Sequence, residues 1–335
     1  MLFLYLCVEK RRLKCYNKYI KTAHFDIKDH FYRKEEIGAK RKKSKSRQKR
    51  QNGVTIMKKT SRLLSVCIAL SMLLLFIPGT EASARESVES SIPVSLEGEY
   101  LFNGALIDSI TYVPLRKLCE AAVDCDIVWD GQNNTASVYF GNNVIRAGVG
   151  DQYISVNGRY FYTVGRILNL DGSLYVPVRA IARALSLEVE WQNDTRSVSL
   201  SRTQSGIVSG SRFYSSDEVY WLSRIIHAEA GGESFDGKIA VGNVVLTRVE
   251  SPLYPNTIYG VIFDFKHGIQ FTPAYTGTVY NTPSQESIIA AKVCLEGYEI
   301  VPGALFFFNP RIATSNWISK NRPFAKTIGN HDFYY

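Results

Sequence analysis

Residues 215–234 read SSDEVYWLSRIIHAEAGGES, and the way this stretch starts and stops organises the C-terminal part of the chain. Ser215 followed three residues later by Glu218 is a capping box, so a helix is expected to begin there. At about 100° per residue, Leu222, Ile225 and Ile226 share one stripe, and Glu229 falls inside it. Ser223, Arg224 and His227 fall on the opposite face. Gly231 and Gly232 then end the helix. A carboxylate in an apolar stripe is partly desolvated, which disfavours its charged form. In the last helical turn the negative end of the macrodipole acts in the same direction. Glu229 therefore reads as a carboxylic acid held protonated near neutral pH, the group needed to protonate the leaving oxygen of a glycoside. The competing structural reading is a buried glutamate paired with an arginine such as Arg248.

Upstream, the chain repeats itself. YVPLRKLCEAAVDCDIVWDGQNNTASVYF (112–140) aligns with YVPVRAIARALSLEVEWQNDTRSVSL (175–200). Each copy gives Tyr-Val-Pro-x-Arg, an apolar helix, an alternating segment ending in Trp, a polar turn and a second alternating segment. Pro114 and Pro177 suit the first turn of a helix. Leu115, Leu118 and Ala122 recur at helical spacing, and the strands around GQNN form a hairpin signal. Residues 93–201 are thus a duplicated α+β module. They resemble the stalk-like domain named for the N-terminus of copper amine oxidases. No histidine occurs between residues 85 and 226, so the imidazole ligands that copper favours are absent from it. Residues 202–214, rich in Ser and Gly, read as a flexible linker, and 215–335 as a second domain.

The formal net charge of +9 is a property of one end. Residues 1–84 hold 20 Lys/Arg and 6 Asp/Glu, and the remainder holds 20 and 25. The body of the protein is acidic, which argues against a nucleic-acid surface. MKKTSR from Met57, the apolar run LLSVCIALSMLLLFI, Pro78-Gly79 and Ala82-Ser83-Ala84 have the order of a cleavable secretory signal over 57–84. Residues 1–56 then read as a basic upstream extension, with translation expected to begin at Met57. Cleavage leaves Cys119, Cys125 and Cys294. An oxidising exterior permits a Cys119–Cys125 bond, but three cysteines make neither a disulfide framework nor a zinc motif.

WLSRIIHAEAGGESFDGKIAVGNVVLTRV, SPLYPNTIYGVIF, QFTP, GALFFFNP and TIGNHDFYY resemble the SleB family of cell-wall hydrolases across 217–335. The resemblance implies a mostly helical fold related to lysozyme-like lytic transglycosylases, with a small sheet. The whole chain is then α+β: a duplicated stalk followed by that domain. It also implies that Glu229 is catalytic and that the substrate is peptidoglycan, cleaved between N-acetylmuramic acid and N-acetylglucosamine. Hydrolysis would need a second carboxylate, for which Glu233 and Asp236 are the candidates. Glu233 reads equally well as an acceptor for loop N–H groups. Gln270 and Phe271 are expected near the cleft, and Asn309 at a rim after a buried strand. Tyr275, Tyr280, Trp317 and Tyr334 are rings that either stack on sugars or fill the core. Two positions depart from the family pattern: Gly231 replaces an arginine, and Asp332 a basic residue.

Rival chemistries are a zinc amidase using His227, His267 and His331 with Glu229 or Glu233, and a Cys294–His331 peptidase. A non-catalytic wall-binding protein is a third alternative. HAEAGGE lacks the HExxH spacing, and Cys294 lies deep in a helix expected to be capped by Thr282 and Pro283. The reading carried forward is a secreted or spore-envelope enzyme, monomeric, with peptidoglycan as partner and no cofactor, nucleic acid or membrane contact after signal cleavage. The stalk-like module is a candidate for wall contact.

Overall fold

The computed structural model describes residues 90–266 and 268–335. The expected extension and signal segment lie outside the described residues, as does His267. Among the described residues no helix is long and apolar enough to cross a membrane.

The duplicated module runs β1 (Ser90–Leu96), β2 (Glu99–Ile107), β3 (Ile110–Pro114), α1 (Leu115–Ala122), β4 (Asp126–Asp130) and β5 (Thr135–Phe140). It continues through β6 (Asn143–Gly148), β7 (Tyr153–Val156), β8 (Arg159–Tyr162) and β9 (Leu168–Leu170). The second copy is β10 (Ser173–Pro177), α2 (Val178–Ala184), β11 (Leu187–Gln192) and β12 (Ser197–Arg202). The strands form a seven-stranded sheet, β11-β12-β1-β2-β3-β10-β9, and a five-stranded sheet, β4 to β8 in order. β1 pairs with β12 in parallel, Val94 opposite Val198.

Both expected hairpins are present, with Trp129 opposite Ala136 and Trp191 opposite Val198. Their turns end on equivalent left-handed residues, Asn134 and Arg196. Leu115, Leu118 and Ala122 are buried in one core between the sheets. The prolines sit one position earlier than expected. Pro114 and Pro177 are extended N-caps, because β3 and β10 pair through them before the helices start. Cys119 and Cys125 are both free thiols. Burial pushes Cys119 up to about 12, so it behaves as a core side chain.

The linker is not a free tether along its whole length. Its end forms α3 (Gly210–Phe213), and the Gly210 N–H donates to Asn157 O at 2.8 Å. A Cβ at Gly210 would stand 2.5 Å from Gly158 O, so glycine permits this close approach. Serine and glycine read as flexibility in sequence; here they allow docking.

The C-terminal domain contains α4 (Ser216–Ala230), α5 (Phe235–Glu250), α6 (Ile258–Ile262), α7 (Thr272–Thr276), α8 (Gln285–Leu295) and α9 (Trp317–Asn321). A small antiparallel sheet, β13 (Phe306–Phe308), β15 (His331–Tyr334) and β14 (Phe324–Ile328) in that order, completes it. The helical domain with a small sheet matches the expected class. Ser284, not Thr282 or Pro283, caps α8, its side chain accepting from the Ser287 N–H. The helices α4, α5 and α8 meet at Gly242, where a Cβ would lie 2.6 Å from Cys294 Sγ and 2.9 Å from Ile226 Cδ1. Neither neighbour is a loose chain end. Gly242→Ala is expected to destabilise the protein by about 1–3 kcal/mol through overpacking. A lower urea midpoint at unchanged slope checks this.

Candidate active site

Ser215 is the N-cap as read, its side chain accepting from the Glu218 N–H at 3.5 Å, and α4 ends at Ala230. Leu222, Ile225 and Ile226 are fully buried, each contributing roughly 1.5–3 kcal/mol of apolar burial. The opposite face is not solvent. Ser223 is buried, the Arg224 guanidinium donates to Asn281 O, and His227 Nδ1 lies 3.4 Å from both Ser284 N and Ser287 Oγ. Helix periodicity assigns one apolar face correctly but cannot see that a second segment covers the polar one.

Glu229 is half-buried in the last turn. Burial pushes its carboxyl up to about 7, against the opposing pull of the Arg248 cation. Arg248 is itself buried, and two of its donors are directed at other groups. Its Nε donates to Leu305 O at 2.8 Å, and its NH1 group lies 3.5 Å from Gln270 Oε1. Its guanidinium is 5.1 Å from the ring centres of both Tyr254 and Phe271. Arg248 thus moderates Glu229 through space while contacting Gln270, Phe271 and the 305 backbone. The result is a carboxylic acid that is half-protonated near neutrality and retains access to solvent.

The other expected residues separate into different roles. Glu233 accepts from the Asn330 backbone N–H at 3.1 Å and from its side-chain amide at 2.9 Å. Burial acts to raise its carboxyl, but the Asn330 bonds, His331 and Lys238 outweigh it and hold it below its ordinary value. Glu233 is therefore an ionised acceptor for a loop. Asp236 accepts from Tyr162 and Gln152 of the duplicated module. Both carboxylates are thus already engaged by hydrogen-bond donors. Phe271 is 1 % exposed and packs on Phe307, so it is core and not a sugar platform. Tyr334 is likewise buried, stacked on Phe308. Asn309 follows β13, a half-buried strand, and its side chain accepts from the Arg311 N–H at 3.0 Å. Tyr275, Tyr280 and Trp317 are exposed.

Among the described residues no three His, Cys, Asp or Glu side chains are grouped to hold a metal. His227 faces the start of α8, whereas His331 packs edge-on against Phe307. Burial pushes the Cys294 thiol far above its ordinary value, and its Sγ points at Ile239 O. The thiolate that a peptidase needs is disfavoured there. The two sequence departures also find places. A Cβ at Gly231 would lie 2.5 Å from His227 O, so this backbone is shaped for glycine. Asp332 accepts from its cross-strand partner Thr327 at 2.6 Å.

A family model described as "Cell Wall Hydrolase" matches residues 232–334. The C-terminal domain belongs to the cell wall hydrolase family. The match opens at Gly232, just after Glu229. A second model, the copper amine oxidase N-terminal domain, matches residues 96–200 and covers the duplicated module. The hydrolase domain is similar to the spore cortex-lytic enzyme of Bacillus subtilis (strain 168), 37 % identical over 120 residues. It is also 38 % identical over 120 residues to the enzyme of the same description from Halalkalibacterium halodurans. These alignments cover 36 % of this chain and 38 % and 35 % of the relatives, so the chain spans little more than a third of their length. Among solved structures, the catalytic domain of the germination-specific lytic transglycosylase SleB from Bacillus anthracis is 36 % identical, with a TM-score of 0.34. The match covers all of that domain and 38 % of this chain.

Sequence reasoning named Arg248 only as a rival partner for Glu229 and did not single out Asn330 or Leu305 for the site. The signal for Arg248 was present: a lone arginine in the last turn of the apolar helix α5. Asn330 and Leu305 act through tertiary contacts that leave no local pattern.

Proposed function

We propose that this protein is a secreted peptidoglycan-cleaving enzyme that acts on the bond between N-acetylmuramic acid and N-acetylglucosamine as a lytic transglycosylase, with Glu229 as its single acid and base. The observation that carries the reading is the half-buried Glu229 carboxyl, raised to about 7, with Glu233 and Asp236 both committed to other partners. Protonated Glu229 donates to the glycosidic oxygen, and the bond to the anomeric carbon breaks. The carboxylate left behind takes the proton of the muramic acid 6-hydroxyl, whose oxygen bonds to the anomeric carbon. The products are a 1,6-anhydro end and a free hydroxyl on the leaving sugar, and no water is consumed. A hydrolase would need a second carboxylate to activate water or form a covalent intermediate. The description of the relatives as spore cortex-lytic favours cortex as the substrate.

Mass spectrometry of fragments released from isolated cortex and vegetative sacculi tests both points. Anhydro ends are expected, with faster release from cortex. Reducing muramic acid ends alone would refute transglycosylation. The pH dependence is a second expectation. The free enzyme must hold the proton, so kcat/KM is expected to fall about tenfold per pH unit above 7. A pH–rate profile on soluble glycan strands measures it.

For the duplicated module the reading is wall contact. Trp129 and Trp191, at equivalent positions of the two copies, are both exposed. Exposed indoles suit stacking on sugar rings. Loss of sacculus binding in the Trp129→Ala/Trp191→Ala variant, with stability unchanged, is the expected result.

A further inference from the structure

The acid is followed by two glycines, which carry no side chain to lock the turn between α4 and α5. Glycine leaves its backbone the widest freedom of any residue. Within the turn one backbone bond, Glu233 N–H to Ala230 O at 3.0 Å, and the packing of Ala230 on Ala240, Val241 and Val244 set the placement of Glu229 relative to α5, and contacts from outside add to them. On one side α4 is embedded in the core. On the other, the start of α5 is held by the duplicated module. Tyr162 Oη and Gln152 Nε2 both donate to Asp236 Oδ1, at 2.8 and 3.0 Å. Phe235 lies against the rings of Tyr162 and Tyr153, with centres 6.2 and 5.8 Å apart. Tyr162 also packs on Tyr298 at 4.2 Å. Just inside α5, Lys238 donates to Glu233 O and pairs with Glu286 at 2.8 Å. The same Glu233 holds Asn330. A chain of contacts thus runs from the module, through Phe235 and Asp236, to the turn behind the acid.

A second anchor sits at the far end of α8. Arg159 of β8 grips the Glu296 carboxylate with two bonds of 2.8 and 2.6 Å, and Arg183 of α2 donates to Glu296 O at 2.9 Å. Tyr214, from the residue after α3, donates to the same carboxylate at 2.7 Å. Two separated anchors fix orientation where one would leave a pivot.

We propose that the duplicated module is a working part of the hydrolase site: it docks rigidly on α5 and α8, and Tyr162 and Gln152, through Asp236, are positioning residues for the segment that carries Glu229. The catalytic consequence rests on Glu229 being the acid; the docking does not.

The test uses the full mature chain. Tyr162→Phe removes one hydroxyl, Gln152→Ala removes the other donor, and Asp236→Asn keeps the accepting Oδ1. For each, amide hydrogen exchange over residues 230–238 and the split between kcat and KM on soluble glycan strands are measured. The Tyr162→Phe/Gln152→Ala pair, which removes both hydrogen bonds, is expected to speed exchange in that segment about tenfold or more. It is expected to lower kcat to a similar degree with KM unchanged, and Asp236→Asn, which keeps Oδ1 but loses the charge that strengthens both bonds, is expected to shift both readouts in the same direction by less. Wild-type exchange and kcat in the paired variant overturn the proposal, as does independent tumbling of the two domains by NMR relaxation. Glu229→Gln serves as the separate control: if it still cleaves, the acid assignment fails while the exchange data continue to report on docking.

Discussion

Replacing Glu229 with glutamine is expected to stop glycan cleavage and, above neutral pH, to make the protein more stable. On the proposed mechanism the activity loss follows from removing the one group that both gives and takes the proton. General acid–base catalysis contributes typically 10²–10⁴-fold, and here both steps fall to the same side chain, so a loss of about 10³-fold or more is expected. The stability gain follows from linkage. The folded carboxyl sits at about 7 against an ordinary 4.5. A raised acid stabilises the fold fully below pH 4.5, and that contribution is lost as the pH rises through 7. The gap corresponds to roughly 3 kcal/mol. Glutamine carries no charge at any pH and escapes the loss. At pH 8 the variant should therefore unfold at higher denaturant than the wild type, and at pH 4 the two should converge. Zymography with paired denaturation curves measures both effects. Equal stability at the two pH values would mean that position 229 ionises like an exposed carboxyl group.

Glu296→Ala is expected to be the most damaging substitution for the assembly of the two domains. The Glu296 side chain is 1 % exposed, and that of Arg159, which holds it, 16 %. Burial and the Glu296 carboxylate raise the Tyr214 phenol, so it stays protonated and donates. Truncation leaves the Arg159 guanidinium and the Tyr214 hydroxyl without their buried acceptor. Removing one partner of a buried ion pair costs about 3–5 kcal/mol. Because Arg159 and Arg183 belong to the duplicated module and Tyr214 to its connection, the loss falls on the junction and not on either core. Calorimetry should show one cooperative transition in the wild type and two in the variant. Glu296→Gln, which keeps one accepting oxygen, should lie between them.

What the sequence made legible was local. Ser215 and Glu218 announced the start of α4, Gly231 and Gly232 its end, and spacing put Glu229 in the apolar stripe with the direction of its pKa. The repeat was equally plain, since Trp129 and Trp191 end matching strands of two hairpins. What it hid was tertiary. Asp236 reads as a spare catalytic carboxylate until Tyr162 and Gln152, 74 and 84 residues away, are seen to hold it. Phe271 reads as a cleft ring until Arg248 and Phe307 enclose it. Residues 202–214 read as a tether because composition reports the freedom of a chain in water, not what its glycines allow it to approach.

The first strand of the duplicated module lies beside its last, Val94 against Val198. That interior seam of the larger sheet cannot close until a loop of about a hundred residues has been brought round, a step whose entropy must be met before the contact rewards it. The module should consequently be late to acquire its structure, since a chain emerging from its N-terminus offers β1 long before β12 arrives to receive it.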